Sequence, residues 1–230
     1  MRDAVTSVQR GLWVTCLGAS SMEALAGHGL DWVGIDLQHG SLEVGDLPAL
    51  LRVTAATGTR CLVRVPSHDH AVIGRALDHG CDGVIVPAVE TADQAAAVVA
   101  AASPPPRGRR STGLGRVALV AGGSAPPLVL VMIETAAGHR ARAEILEVPG
   151  VDGVFVGPYD LALSLGATAT TEAPVIESIR QVLDDTSAAG LLTGYFAGNP
   201  ALVKALPDVD LLAVDSDVAA LRAGLRALLS

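Results

Sequence analysis

Aromatic side chains are almost missing from this chain: two Trp, two Tyr and two Phe in 230 residues, or 3%. Half of the residues are hydrophobic, so material for a core is ample, but it must come from Ala, Val and Leu. The shortage also weighs against a site that stacks sugar rings. Lysine is scarcer still. Lys204 is the one lysine among sixteen basic residues and falls in a short helical stretch away from any strand end, which argues against Schiff-base chemistry. Basic surplus is absent too: the net charge of −8 and the pI near 5.1 exclude the basic face that nucleic acid or an anionic membrane requires. No apolar run approaches the roughly 20 residues of a membrane span, and MRDAVTSVQR lacks the core of a signal peptide. A cytoplasmic location is expected. Three cysteines, Cys16, Cys61 and Cys81, lie in or near apolar runs with no zinc spacing, the pattern of reduced, buried thiols.

What is present is alternation. Short apolar runs read as strands at Gly11–Leu17, Trp32–Asp36, Cys61–Val65, Gly83–Pro87, Leu128–Glu134, Val154–Val156, Leu191–Phe196 and Leu211–Val214. Helical stretches follow most of them: Ser20 to His28, Val44 to Thr57, Asp69 to His79, Thr91–Ala102, Gly138–Glu147, Glu172–Ala188 and Asp217–Leu229. Residues 103–127 are the least regular, with five prolines, Gly122-Gly123 and the arginines 107, 109, 110 and 116. Eight strand-then-helix units with no linker between halves predict an α/β chain folded as one (β/α)8 TIM barrel over residues 1–230. A doubly wound sheet is the competitor, but Leu17-Gly18-Ala19-Ser20 after the first strand does not carry the glycine fingerprint.

In such a barrel all strand ends share one rim, and polar residues end several apolar strands here. Asp36 closes the second strand with His39 just beyond, and Arg64 lies in the third. Glu134 closes the fifth. In VDGVFVGPYDLA (151–162) the sixth stops at Gly157-Pro158 and is followed by Asp160. Glu134 and Asp160, with no Cys or paired His nearby, make an oxygen-rich pair suited to Mg²⁺ or Mn²⁺, with Co²⁺ a further candidate. Paired carboxylates also serve glycoside hydrolysis, and each acid alone serves equally well as a salt-bridge partner. His39 is a candidate base oriented by Asp36. Arg64 inside an apolar strand requires an anion, either Glu134 or a bound carboxylate.

At these residues the chain resembles a known family. GLDWVGIDLQHG (29–40), LVRVP (62–66), VIVPAVETADQA (84–95), VMIETAAG (131–138) and VDGVFVGPYDLALSLG (151–166) are similar, in order and over nearly the whole chain, to the HpcH/HpaI aldolases. These are metal-dependent class II pyruvate aldolases on a (β/α)8 barrel. The resemblance implies Glu134 and Asp160 as metal ligands and Asp36 with His39 as the dyad that moves the proton of the aldol hydroxyl. It implies Arg64 as the group that stabilises the pyruvate enolate, and Asp78 as an acid supporting the dyad across a subunit contact. Gly157 and Pro158 become the turn that lets backbone approach pyruvate.

The implied reaction joins pyruvate to an aldehyde, or cleaves a 4-hydroxy-2-oxo acid, in a homo-oligomer that is a trimer or hexamer by analogy. Two departures stand out. Met132 occupies a position where the family often has glutamine, and the 103–127 loop is short, with arginines that are candidates for a second substrate anion. Three alternatives stay open: a decarboxylase of the oxaloacetate type, a specialised biosynthetic carbon–carbon lyase using the same enolate, and a non-catalytic barrel.

Overall fold

The structure, a computed structural model, describes residues 7–113, 115–116 and 126–230. Eight parallel strands close into a barrel in sequence order: β1 (Gln9–Val14), β2 (Trp32–Asp36), β3 (Arg60–Arg64), β4 (Gly83–Val86), β5 (Leu128–Ile133), β6 (Gly153–Val156), β7 (Leu192–Phe196) and β8 (Leu211–Ser216). β8 pairs back onto β1, which removes both sheet edges. The barrel read from the sequence is the barrel that forms.

Strand periodicity sorts the side chains into two layers. Odd-facing residues such as Val33, Ile35, Val63, Val129 and Val131 point outward into a large aliphatic core under the helices. Their alternates, among them Trp13, Trp32, Leu62, Leu130, Met132 and Phe155, fill the barrel interior. The core of Ala, Val and Leu expected from composition therefore describes the outer layer, while the inner one sets among its aliphatic side chains the rings of Trp13, Trp32 and Phe155. Glycines make room for them: a Cβ on Gly11 would run into the Trp32 ring, one on Gly34 would come within 2.7 Å of Trp13, and one on Gly194 within 2.7 Å of Phe155.

The helical layer includes α1 (Ala19–Glu23), α2 (Leu47–Thr57), α3 (His70–Asp78), α4 (Ala92–Ala102), α5 (Ala136–Arg140), α6 (Arg142–Leu146), α7 (Pro158–Ser164), α8 (Ala173–Ala188), α9 (Pro200–Ala205) and α10 (Asp217–Leu229). Buried positions in α8, Val175, Ile179, Val182, Leu183 and Thr186, follow the 3.6-residue period. Side-chain caps start several helices: Asp69 accepts from Ala71 N (2.7 Å), Thr91 from Gln94 N (3.2 Å) and Ser216 from Ala219 N (3.2 Å).

Some expectations are corrected. The first helix ends at Glu23, short of His28, and residues 138–147 belong to two short helices, not one. Cys16 is exposed, while Cys61 and Cys81 are buried, and burial pushes the Cys81 thiol up to about 12. Gly122-Gly123 lies outside the described residues. Arg110 binds Asp78 (2.8 Å) and Arg116 the carbonyl of His79 (3.3 Å), so both arginines pin their loop to the end of α3 that leads into β4. That end lies opposite the strands' C-terminal rim.

Candidate active site

The inward-facing register continues one step past each strand and delivers the polar groups. Leu130 and Met132 face the barrel interior, so Glu134 does as well. Trp32 and Gly34 precede Asp36 in the same way, and Phe155 precedes Gly157. Asp36, His39, Arg64, Glu134 and Asp160 all border one cavity of about 250 Å³, as do Gly157 and Pro158. The five polar residues predicted to share a rim are brought together.

Asp36 and Arg64 are register partners on adjacent strands. Arg64 Nε donates to Asp36 Oδ1 at 2.9 Å and Nη2 to Oδ2 at 2.6 Å, a bidentate pair with both side chains buried. The partner of Arg64 is thus Asp36, and neither Glu134 nor a ligand is needed to compensate it. Burial alone would raise the Asp36 carboxyl, but Arg64 and the main-chain N–H groups of Gln38 (2.9 Å) and His39 (3.4 Å) outweigh it and hold the group below its usual range. The Asp36–His39 contact is also corrected: the His39 backbone meets the carboxylate, while the exposed imidazole borders the cavity.

Glu134 is 4% exposed. Its Oε1 accepts from Ala88 N at 2.8 Å, and its Oε2 is buried without a hydrogen-bond partner. Ala88 is the one described non-glycine residue with positive φ (50°), a costly conformation that turns its N–H toward Glu134. Burial pushes the Glu134 carboxyl up, opposed by Ala88 N–H and reinforced by the charge of Asp160. Gly157 is required beside it, because a Cβ there would overlap Glu134 Oε2 and come within 3.2 Å of Met132 Cε. Asp160 lies in the first turn of α7, behind Pro158 at the helix start. Where the sequence predicts only a turn, the structure forms a helix, because Gly157-Pro158 signals a strand stop as readily as a Pro at N1.

An orphaned buried carboxylate oxygen beside a second carboxylate is a poor resting state for a protein interior but a good half-shell for a hard divalent ion. The donor set fits such an ion. Among the described residues no group of three or more His, Cys, Asp or Glu side chains is arranged to hold a metal.

Two residues considered in the sequence lie away from this cavity. Asp78 ends α3 and pairs with Arg110, so a role beside His39 needs a second copy of the chain. Lys204, exposed on α9, does not border the cavity. Met132, singled out in the sequence, does border the cavity, whereas sequence reasoning missed Trp13, Thr15, Phe155, Tyr159, Phe196 and Ser216. For Trp13, Phe155 and Phe196 the signal was strand parity, since each sits on the inward face.

A carboxylate pair, an arginine and a histidine thus meet at the C-terminal rim of a (β/α)8 barrel, the rim where this fold carries its chemistry. The family model for HpcH/HpaI aldolase/citrate lyase matches residues 9–206, and the chain belongs to this family. A hydroxypyruvate/pyruvate aldolase of Rhizorhabdus wittichii is 36% identical over 225 residues, covering 93% of this chain and 90% of the relative. A 4-hydroxy-2-oxo-heptane-1,7-dioate aldolase of Salmonella dublin is 33% identical over 232 residues, covering 96% and 88%. A solved structure of an HpcH/HpaI aldolase/citrate lyase family protein from Burkholderia cenocepacia superposes with a TM-score of 0.88 at 33% identity, covering 99% of this chain and 95% of that one. The protein is an enzyme, a carbon–carbon lyase of the pyruvate-aldolase class.

Proposed function

We propose that the enzyme is a divalent-metal-dependent aldolase that cleaves or forms 4-hydroxy-2-oxo acids through the enolate of pyruvate. The observation that supports the metal dependence is the unpartnered, buried Oε2 of Glu134, whose other oxygen is fixed by Ala88 N–H and which lies against Gly157 in the cavity that Asp160 also borders. Glu134 and Asp160 would hold the ion. When bound, it supplies Lewis-acid stabilisation of negative charge on the pyruvate oxygens.

The chain's own groups do the rest. Arg64, oriented by both oxygens of Asp36, presents its remaining donors to the oxygen on which the enolate charge develops. His39, at the cavity edge, takes the proton of the C4 hydroxyl, directly or through a water. The C4–O bond becomes a carbonyl, the C3–C4 bond breaks, and its electron pair passes into the enolate. A proton then returns to C3 to give pyruvate. Gly157 and Pro158 leave backbone open to the pyruvate side of the cavity. The homo-oligomer belongs to this reading and is supported by the apolar exposed face of α10, where Leu221, Leu225 and Leu228 are uncovered.

The test is exchange of the pyruvate methyl protons with solvent deuterium, followed by NMR. Chelator-stripped enzyme should be silent and Mn²⁺ or Mg²⁺ should restore exchange, while Glu134→Ala and Asp160→Ala stay silent in both states. Equal exchange with and without metal would sink the proposal.

A further inference from the structure

Aromatic side chains make up much of the wall of the active cavity. Four of the chain's six aromatic side chains, Trp13, Phe155, Tyr159 and Phe196, border this one cavity. Trp13 stacks on Phe155 with centroids 5.3 Å apart and meets Phe196 edge-on at 6.1 Å, so three rings form one continuous apolar surface. Met132 extends it at the position where a glutamine would have offered an amide. Tyr159, 67% exposed on the first turn of α7, stands at the mouth.

Charge and hydrogen bonding point the same way. Among the described residues bordering the cavity, Arg64 is the only Lys or Arg and faces three carboxylates, one of which it already grips with two donors. The loop arginines Arg110 and Arg116 are engaged at the opposite end of the barrel. Of the two hydroxyls on the wall, Thr15 Oγ1 spends its proton on Asp217 at 2.6 Å, while Ser216 Oγ accepts from Ala219 N. Within one copy of the chain, an aldehyde carrying a carboxylate or phosphate would find no cation besides Arg64, whose remaining donors serve the pyruvate oxygen, whereas an alkyl or aryl group would be covered by the rings.

We propose that the acceptor aldehyde is uncharged and apolar, an alkyl or aryl aldehyde held against the Trp13–Phe155 stack by Phe196 and Tyr159. This assignment rests on the pyruvate-enolate reading, and its test keeps the two apart. Mn²⁺-loaded enzyme receives pyruvate with hexanal, benzaldehyde, succinic semialdehyde or glyceraldehyde 3-phosphate, and methyl-proton exchange is followed separately with no aldehyde. The kcat/KM for the two apolar acceptors should exceed that for the two charged ones by about tenfold or more. Equal or reversed preference with exchange intact overturns the acceptor assignment and leaves the enolate reading standing; loss of exchange overturns both. Tyr159→Ala, at an exposed position that tolerates change, should raise KM for benzaldehyde about tenfold with little change in kcat, and Tyr159→Phe should restore it. Tyr159→Arg should shift preference toward succinic semialdehyde. A Tyr159→Ala profile identical to wild type removes that wall from the proposal and overturns it.

Discussion

Arg64 and Asp36, paired in register at the ends of neighbouring strands, clasp each other through two hydrogen bonds of 2.9 and 2.6 Å on the wall of the active cavity. The pair is buried, so its value lies less in net stability than in orientation. A buried ion pair gains little over an apolar substitute, yet removing one partner strands the other charge. Asp36→Ala is therefore expected to cost about 3 kcal/mol in urea unfolding and to lower turnover as well. Arg64→Lys should keep the charge but lose the fork, reducing kcat more than it raises the KM for pyruvate.

Glu134 shows the opposite balance between stability and function. Its second oxygen is buried with nothing to accept from, and its neighbour Asp160 adds repulsion. Glu134→Gln removes the charge at similar volume. Melting of metal-free protein should show the variant more stable than wild type by about 1 kcal/mol. On addition of Mn²⁺ wild type should gain stability and the variant should not. A variant that melts lower without metal would show that the carboxylate is structurally satisfied after all.

Gly157→Ala tests the shape of the same spot. The added methyl would overlap Glu134 Oε2, come within 3.0 Å of Glu134 Cβ and crowd Met132, so the carboxylate itself must shift. Calorimetric titration with Mn²⁺ should give an affinity at least about tenfold weaker, comparable to loss of a ligand's orienting contacts. The fold should persist, because φ at this residue is −97°, open to any side chain.

Much of this was legible before any coordinates. Asp36, Arg64, Glu134 and Asp160 interrupt apolar strands or follow them closely, and a parallel barrel has one rim to which such residues can go. What stayed hidden depends on distance across the barrel. Nothing in the spacing of 28 residues says that Arg64 grips Asp36 and not Glu134, because strand register decides it. The first turn of α7 was equally opaque, since Gly157-Pro158 reads alike as a stop and as a start. The aromatic interior escaped for another reason. Composition counts residues, while folding gathered five of six aromatics into one barrel interior and its mouth, opposite glycines that leave them space.

Asp217 ties the end of the chain to its beginning and sets an acid limit on stability. From the start of α10 its Oδ2 accepts from the main-chain N–H of Thr15 (2.9 Å), Cys16 (2.9 Å) and Leu17 (3.0 Å), and its Oδ1 accepts the Thr15 hydroxyl (2.6 Å). Burial alone would raise this carboxyl, but the Thr15 hydroxyl and the three N–H groups outweigh it and hold it below the usual range. A group depressed in the folded state stabilises fully above its unfolded pKa, about 3.9, and its contribution fades as pH falls below that value through the folded one. Asp217→Asn should then cost about 2 kcal/mol at pH 7, the scale of hydrogen bonds to a charged acceptor. The difference between wild type and variant should stay flat from about pH 5 upward and shrink below about pH 4. Urea unfolding across pH 3 to 8 reads this directly: a gap that persists undiminished at pH 3 would mean that the amide fails for reasons of shape, not of charge.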